Sequence, residues 1–257
     1  WGKLERQTPG TLNKIKQRCD SLGLSTPGCH AFWGKGNDIG CDDPVRHEEL
    51  VREHSIFLEQ LAEMKVKTYT LHLGLSSASR SWEYVRRSVE KLLPTAVKND
   101  IVLALENGSE TPEDLQKMTA LADEFDSEHL GFCFDTGHAN CRGNRQYEDL
   151  TALRGRLYGV HIHDNDGRCD GHTAPFMGTM DWDSVLRGLI DTEYKGYFTF
   201  ECDNFPMRGG GWPYLRRNDQ PETARLQNPS LELKLMAEDY LYETGKYLLS
   251  QYGIFEE

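Results

Sequence analysis

Four apolar runs of the sequence end directly at ionisable side chains. These are Glu106, Asp135, the pair His161 and His163, and Glu201. Carboxylate and imidazole groups are ligands for hard or borderline divalent ions such as Mn²⁺, Zn²⁺, Mg²⁺ and Co²⁺. A bound cation would also offset the repulsion among several buried carboxylates. The residue types therefore predict a divalent-metal site at the ends of four strands.

Two of these candidate ligands, His161 and His163, are separated by one residue. Side chains alternate along a strand, so both imidazoles are expected to project to the same side, with Val160 and Ile162 on the other side. Either histidine could then reach an ion, and the alternation does not choose between them.

Other polar side chains extend the candidate site. His30 and His72 also end predicted strands, where a core histidine and a ligand are both consistent with the position. After the histidine pair, Asp170 and His172 are spaced to chelate an ion or to hold a ligand hydroxyl, and Arg168 is a candidate anion contact. These residues predict a second cluster.

The elements that would position these residues alternate between apolar runs and stretches of helical periodicity. The predicted strands are Leu24–His30, Lys67–Leu73, Ile101–Glu106, Leu130–Asp135, Leu157–His163 and Tyr197–Glu201. The predicted helices are Leu12–Leu22, Pro44–Lys65, Ser81–Lys98, Pro112–Phe125, Tyr147–Arg154, Asp181–Asp191 and Leu231–Gln251. This alternation is typical of βαβ units, and the C-terminal ends of parallel strands form a binding face. The other histidines, His47, His54 and His129, fall on helices or turns, where structural roles are expected.

The predicted fold is an α/β barrel of the TIM (β/α)8 type, in a single domain over residues 1–257. A closed barrel of this type has eight strands. Because six are apparent, the first one or two are expected to be missing from this chain, with Trp1 and Gly2 as the end of a lost strand. A long loop at 203–229 and a terminal helix at 230–252 complete the domain. Loops of such length are typically functional or mobile.

The composition limits which kinds of binding partner and which cellular compartment are expected. The net charge of −12 opposes binding to a phosphate backbone, so nucleic acid is not the favoured partner. The cysteines include no CxxC pair, which argues against a disulfide framework or a zinc ribbon. No apolar run approaches the roughly 18 residues that a membrane span needs, and no signal-peptide pattern is present. We therefore expect a soluble, cytoplasmic protein without a membrane partner.

These motifs resemble the xylose-isomerase-like TIM barrels, a superfamily that contains sugar and sugar-phosphate isomerases and epimerases together with endonuclease IV. The resemblance runs from Gly23 to about Asp203. It is carried by Glu106, Asp135-Thr-Gly-His138, His161-Ile-His-Asp164 and Glu201, which match in order and spacing. The resemblance implies a metal held by Glu106, Asp135, His161 and Glu201. Asp164 favours His161 as the ligand, and His163 stays the alternate ligand or a substrate contact.

The resemblance also implies a reaction. A sugar or sugar phosphate would be isomerised or epimerised through an enediolate, with one bound ion favoured. Glu106 and Glu201 would act as base and acid, and His138 and Arg168 would orient hydroxyls or stabilise the oxyanion. Phe32 and Trp33 could stack on the sugar. A homo-oligomer is compatible with this assignment.

Three alternatives stay open. Endonuclease IV uses three zinc ions, and its further ligands would fall here on His30, His72, His138, Asp170 and His172. A multi-zinc phosphodiesterase is therefore the main alternative, although the net charge of −12 is unfavourable for DNA. A sugar-acid dehydratase or lyase would use the same enolate chemistry, and a non-catalytic sugar-binding protein would need no metal.

Overall fold

The structure is a computed structural model that describes residues 9–74, 80–108, 112–143, 145–202, 205 and 230–255. Within these residues the helices are α1 (Pro9–Ser21), α2 (Pro44–Glu63), α3 (Trp82–Lys98), α4 (Pro112–Phe125), α5 (Thr136–Asn140), α6 (Gln146–Ala152), α7 (Trp182–Asp191) and α8 (Leu231–Gln251). The strands are β1 (Gly28–His30), β2 (Thr68–His72), β3 (Val102–Glu106), β4 (Leu130–Asp135), β5 (Leu157–Ile162) and β6 (Thr199–Phe200). Helices and strands alternate as the sequence predicts.

The strands form one sheet in chain order, β1-β2-β3-β4-β5-β6. The registers that bear on the site are parallel, and they place polar residues side by side at the C-terminal strand ends. His72 pairs with Glu106 across β2 and β3, and Glu106 pairs with Cys133 across β3 and β4. His161 pairs with Thr199 across β5 and β6, two residues before Glu201.

The chain divides into two compact units. The first comprises Trp1–Phe134, Ala152–Gly159 and Tyr194–Gly196, and the second comprises Asp135–Thr151, Val160–Glu193 and Tyr197–Glu257. The first unit therefore contains β1 to β3 and most of β4. The second unit contains β6, the ends of β4 and β5, and the loops that follow them.

Strand β4 shows why the sheet forms from these residues. All of its residues, Leu130–Asp135, are buried, as expected for a parallel strand covered on both faces. Gly131 is required there because a Cβ would overlap the carbonyl oxygen of Arg156 and the ring of Tyr158. The neighbouring β3 contributes Leu103, Ala104 and Leu105, each fully buried.

Several helices begin at capping residues or bury one apolar face. Asp43 caps α2, where its carboxylate accepts hydrogen bonds from the backbone N–H groups of Val45 and Arg46. Helix α3 buries Val85, Val89 and Leu92 on one face. Asp181 and Ser230 cap α7 and α8 in the same way as Asp43. No helix in the described part of the chain is both long and apolar enough to cross a bilayer.

The observed elements follow the predicted ones, with differences at their ends. The bounds of α4, α8 and β4 agree with the prediction, whereas β1 and β6 are shorter than predicted. Helix α5 was not predicted, because it has only five residues. Trp1, Gly2 and most of the predicted loop at 203–229 lie outside the described residues.

Candidate metal and active site

In the first unit, Glu106 lies between two histidines. Its side chain is 1% exposed, and its Oε2 is 3.1 Å from Nε2 of His30 and 3.0 Å from Nε2 of His72. Nδ1 of His30 is also 2.7 Å from the carbonyl oxygen of Ala31. Both ring nitrogens of His30 therefore face acceptors. A neutral imidazole has only one N–H, so a neutral His30 can donate to only one of these two acceptors, and a cation beside Nε2 would suit the other nitrogen.

The loop after β1 adds an aromatic side chain to this cluster. Trp33 is 38% exposed, and its ring lies 5.7 Å from that of His72. Phe32 is 8% exposed and stacks on the buried His54 at 4.3 Å. Both aromatic rings were predicted from the sequence to stack on the substrate. The structure places Phe32 in the core, because its face is already covered, and leaves Trp33 as the exposed ring.

In the second unit, Asp135 caps a helix and also contacts histidine side chains. Its Oδ1 accepts a hydrogen bond of 2.6 Å from the backbone N–H of His138, in the first turn of α5. Nε2 of His163 is 3.0 Å from each carboxylate oxygen. Nδ1 of His161 is 4.0 Å from Oδ2. Both members of the histidine pair thus approach Asp135, which is fully buried.

His161 also contacts Glu201, the residue that follows β6. Nδ1 of His161 is 3.1 Å from Oε2 of Glu201, and the two side chains are 12% and 33% exposed. The backbone N–H of Glu201 donates to the carbonyl oxygen of Ile162 at 3.0 Å. Thr136 holds the end of β5 in place, because its hydroxyl Oγ1 donates to the carbonyl oxygen of His161 at 3.1 Å. Within the described part of the chain, both side chains of the pair His161 and Glu201 are therefore partly exposed.

A second cluster in this unit joins His138, Asp170 and His172. Nε2 of His138 and Nε2 of His172 are 3.3 Å and 2.9 Å from Oδ2 of Asp170. Burial disfavours the charged form of His172, but the hydrogen bond and charge of Asp170 outweigh it and raise the pKa of His172 to about 10. Burial likewise opposes the Asp170 carboxylate, but hydrogen bonds from both histidines outweigh it and lower the Asp170 pKa.

The two ends of the loop that carries this cluster are joined by backbone hydrogen bonds. The backbone N–H of Asp164 donates to Thr173 at 2.8 Å, and that of Thr173 donates to Asp164 at 3.0 Å. Between them, His172 adopts a left-handed φ of 43°, a strained conformation for a residue with a side chain. Nδ1 of His172 is 2.9 Å from the carbonyl oxygen of Glu201. The loop thus holds His172 against two acceptors.

The donor set of the second unit fits a divalent ion. The ligand atoms of His138, Asp170 and His172 lie within 4.8 Å of one another, and so do those of His163, His172 and Glu201. Imidazole nitrogens with carboxylate oxygens suit Zn²⁺ or Mn²⁺. His172, like His30, has both nitrogens facing acceptors. A bound cation could replace the proton on one nitrogen of each ring.

The structure brings together most of the candidate residues within each unit, and Arg168 is the exception. Its side chain is exposed, and its backbone N–H donates to Asp166. Asp38, which is 6% exposed and 3.9 Å from His72, was not predicted from the sequence. Thr136 was likewise not predicted to have a role. Neither residue ends an apolar run, so the pattern that found the other residues could not find these two.

Comparisons with known proteins agree with this architecture. The family described as xylose isomerase-like TIM barrel matches residues 3–225. Uncharacterized protein y4fM of Sinorhizobium fredii is 30% identical over 122 residues, or 47% of this chain and 39% of the relative. The chain spans 32% to 53% of the length of the curated relatives that it matches.

Two solved structures share the fold. A D-tagatose 3-epimerase-like protein has a TM-score of 0.73 at 19% identity, with 98% of this chain and 88% of that chain covered. The IOLI protein with a bound zinc atom has a TM-score of 0.70 at 15% identity, with 95% and 84% covered. Together with the family match, these similarities confirm the α/β fold of the TIM type and the resemblance found in the sequence. The chain belongs to the xylose isomerase-like TIM barrel family.

Proposed function

We propose that the protein is a divalent-metal-dependent isomerase or epimerase of a sugar or sugar phosphate. The observation that carries the proposal is the convergence of Asp135, His161 and Glu201, which come from the ends of three successive strands. His161 lies 4.0 Å from Asp135 and 3.1 Å from Glu201. Such strand ends are where TIM-barrel enzymes place their chemistry.

The proposed ion is held by Glu106, Asp135, His161 and Glu201. Glu106, which closes β3, enters this set as the fourth ligand that the family resemblance implies. When bound, a divalent ion polarises the carbonyl and hydroxyl oxygens of a sugar. The epimerase-like protein and the zinc-bound IOLI protein share this fold, which makes a single ion and a sugar the leading proposal.

Glu201 and Glu106 move the proton in this scheme. Glu201 is 33% exposed and can reach a substrate, so it removes the proton beside the carbonyl to give an enediolate. Glu106, in its protonated form, gives its carboxyl proton to the enediolate and is left as the carboxylate that the imidazoles of His30 and His72 hold in place. Trp33 offers a partly exposed ring for stacking, and Arg168 an exposed charge for a phosphate or oxyanion.

Solvent exchange tests this proposal before the natural sugar is known. The protein is loaded with Mn²⁺ or Co²⁺ and incubated with a panel of ketoses and ketose phosphates in D₂O, and deuterium uptake beside the carbonyl is followed by NMR. We expect exchange that is lost in Glu201→Gln and retained in Glu128→Gln, whose side chain is 89% exposed. Normal exchange by Glu201→Gln would contradict the proton-transfer scheme. Loss of water from the substrate would instead favour a dehydratase.

The second candidate is a multi-metal phosphodiesterase, which the additional ligands favour. His138, Asp170 and His172 form one further cluster, and His30, His72 and Glu106 form another. Clustered ions can stabilise both the attacking and the leaving oxygen of a phosphodiester. Metal content decides between the candidates. One ion per chain favours the isomerase, whereas about three ions together with cleavage of abasic DNA favour the phosphodiesterase.

A further inference from the structure

His163 is the most enclosed of the site histidines. Its side chain is fully buried, and its Nε2 donates to the carboxylate of Asp135, 3.0 Å from each oxygen. Nδ1 is buried and has no hydrogen-bond partner. The single proton of a neutral ring therefore belongs on Nε2, where Asp135 accepts it. His161, in contrast, is partly exposed and faces both Asp135 and Glu201.

The backbone around His163 is fitted to its ring. A Cβ at Gly137 would overlap the Cε1, Nδ1 and Nε2 atoms of His163. The ring of His163 also stacks on that of His172, with centroids 4.0 Å apart and planes at 7°. The imidazole is thus clamped between the Gly137 backbone and a second ring. Only a residue without a side chain permits this approach.

We propose that His163 is a positioning residue that orients Asp135, and that it does not itself bind the metal. A ring nitrogen of His163 lies within 4.8 Å of ligand atoms of His172 and Glu201, so distance alone would allow a ligand role. Nε2 already donates to Asp135, however, and Gly137 covers the adjacent edge of the ring. Residues that hydrogen-bond to metal ligands fix ligand orientation and change metal affinity about 10- to 100-fold when replaced.

This inference rests on the proposed function, because it takes Asp135 as a ligand. It follows that the two histidines of the pair have different roles. His161 would bind the ion through a ring nitrogen, and His163 donates a hydrogen bond to the carboxylate of Asp135. The stack on His172 connects this support to the second cluster, because the two rings are in contact.

Two substitutions at one position test the role of His163. Gln retains an N–H donor for Asp135, and Leu removes it. Co²⁺ affinity is measured by competition with a chromophoric chelator, and the visible bands of bound Co²⁺ report its ligands. We expect His163→Leu to weaken Co²⁺ binding about 10- to 100-fold and His163→Gln to restore most of the affinity. Both variants keep the band positions of the unchanged protein, whereas His161→Gln shifts them.

The results separate three roles for His163. A shift of the Co²⁺ bands in both His163 variants would show that His163 is a ligand and would overturn the inference. Unchanged affinity in His163→Leu would show that orientation of Asp135 does not matter, with the same consequence. If the unchanged chain binds Co²⁺ but catalyses no exchange, only the proposed function fails. If it binds no Co²⁺, both fail.

Gly137 provides an independent test of the clamp. In Gly137→Ala the new methyl group displaces the imidazole, so Co²⁺ affinity should fall as it does in His163→Leu. In the double variant Gly137→Ala/His163→Leu, the second change should add little, because the ring that Gly137 accommodates is already gone. Fully additive losses would show that Gly137 and His163 act separately, and would overturn the proposed clamp.

Discussion

Replacement of His54 should change how stability depends on pH. His54 lies on α2, is 1% exposed, stacks on Phe32 at 4.3 Å and shares a hydrogen bond of 2.7 Å with the hydroxyl of Tyr69. Burial lowers the pKa of His54 from 6.5 to about 3. Between about pH 3 and pH 6.5, the ring is therefore neutral in the folded protein and protonated in the unfolded chain.

The sign and size of the effect follow from proton linkage. Because the folded pKa is depressed, the contribution of neutral His54 is complete above pH 6.5 and is lost as the pH falls toward about 3. Within that window the unfolded state binds one more proton, so the free energy of unfolding falls by about 1.4 kcal/mol per pH unit. Between about pH 7 and about pH 4.5, this group alone removes about 2.5 kcal/mol.

Urea unfolding of His54→Gln and the unchanged protein across this range measures the effect. At about pH 7 the substitution should cost about 1 to 3 kcal/mol, because the ring stack is lost and a buried amide replaces it. By about pH 4.5 that cost should shrink by about 2.5 kcal/mol, since the substituted glutamine binds no proton. Tyr69→Phe is the control, because it removes the hydroxyl and retains the imidazole. Parallel stability curves for His54→Gln and the unchanged protein would refute the reasoning.

Two further predictions concern loops beside the site. Phe32→Ala should destabilise the protein by about 3 to 5 kcal/mol because it empties a core position, whereas Trp33→Ala should cost about 1 kcal/mol or less and weaken sugar binding instead. Urea unfolding and a sugar titration compare the two variants, and equal losses of stability would contradict the assignment of Phe32 to the core. Gly178→Ala should destabilise the loop after β5, because a Cβ there would overlap the carbonyl oxygen of Asn165. Faster amide hydrogen exchange at Thr173 and Thr179 would report this, and unchanged exchange would show that the loop adjusts.

The sequence predicts the elements best where burial is continuous. Strand β4 has the predicted bounds, Leu130–Asp135, because an unbroken apolar run is buried on both faces. Strand β1 is shorter than the predicted strand Leu24–His30 because only Gly28–His30 pair with β2, and Leu24 is 58% exposed. Tyr197, before β6, is 61% exposed in the same way. The length of a strand depends on its partner, which apolar content does not reveal.

The candidate site is predictable where polar residues end strands and less so where tertiary contacts determine which way a side chain points. The rule that polar residues close parallel strands predicted His72 and Glu106, which the register places side by side. It could not tell that Phe32 turns into the core while Trp33 turns outward, because packing on His54 decides this. Nor could it separate His161 from His163, since their different burial depends on the close approach of Gly137.

The closed loop after β5 affects how readily the second cluster accepts a ligand. Hydrogen bonds between Asp164 and Thr173 fix both ends of the segment that carries Asp170 and His172. Ordering a backbone residue costs about 1 to 2 kcal/mol in conformational entropy. This segment is already ordered in the folded chain, so ligand binding does not have to order it. A cation that bound at the second cluster would therefore find the imidazole and carboxylate groups preorganised, and its binding would not include the entropy cost of ordering this segment.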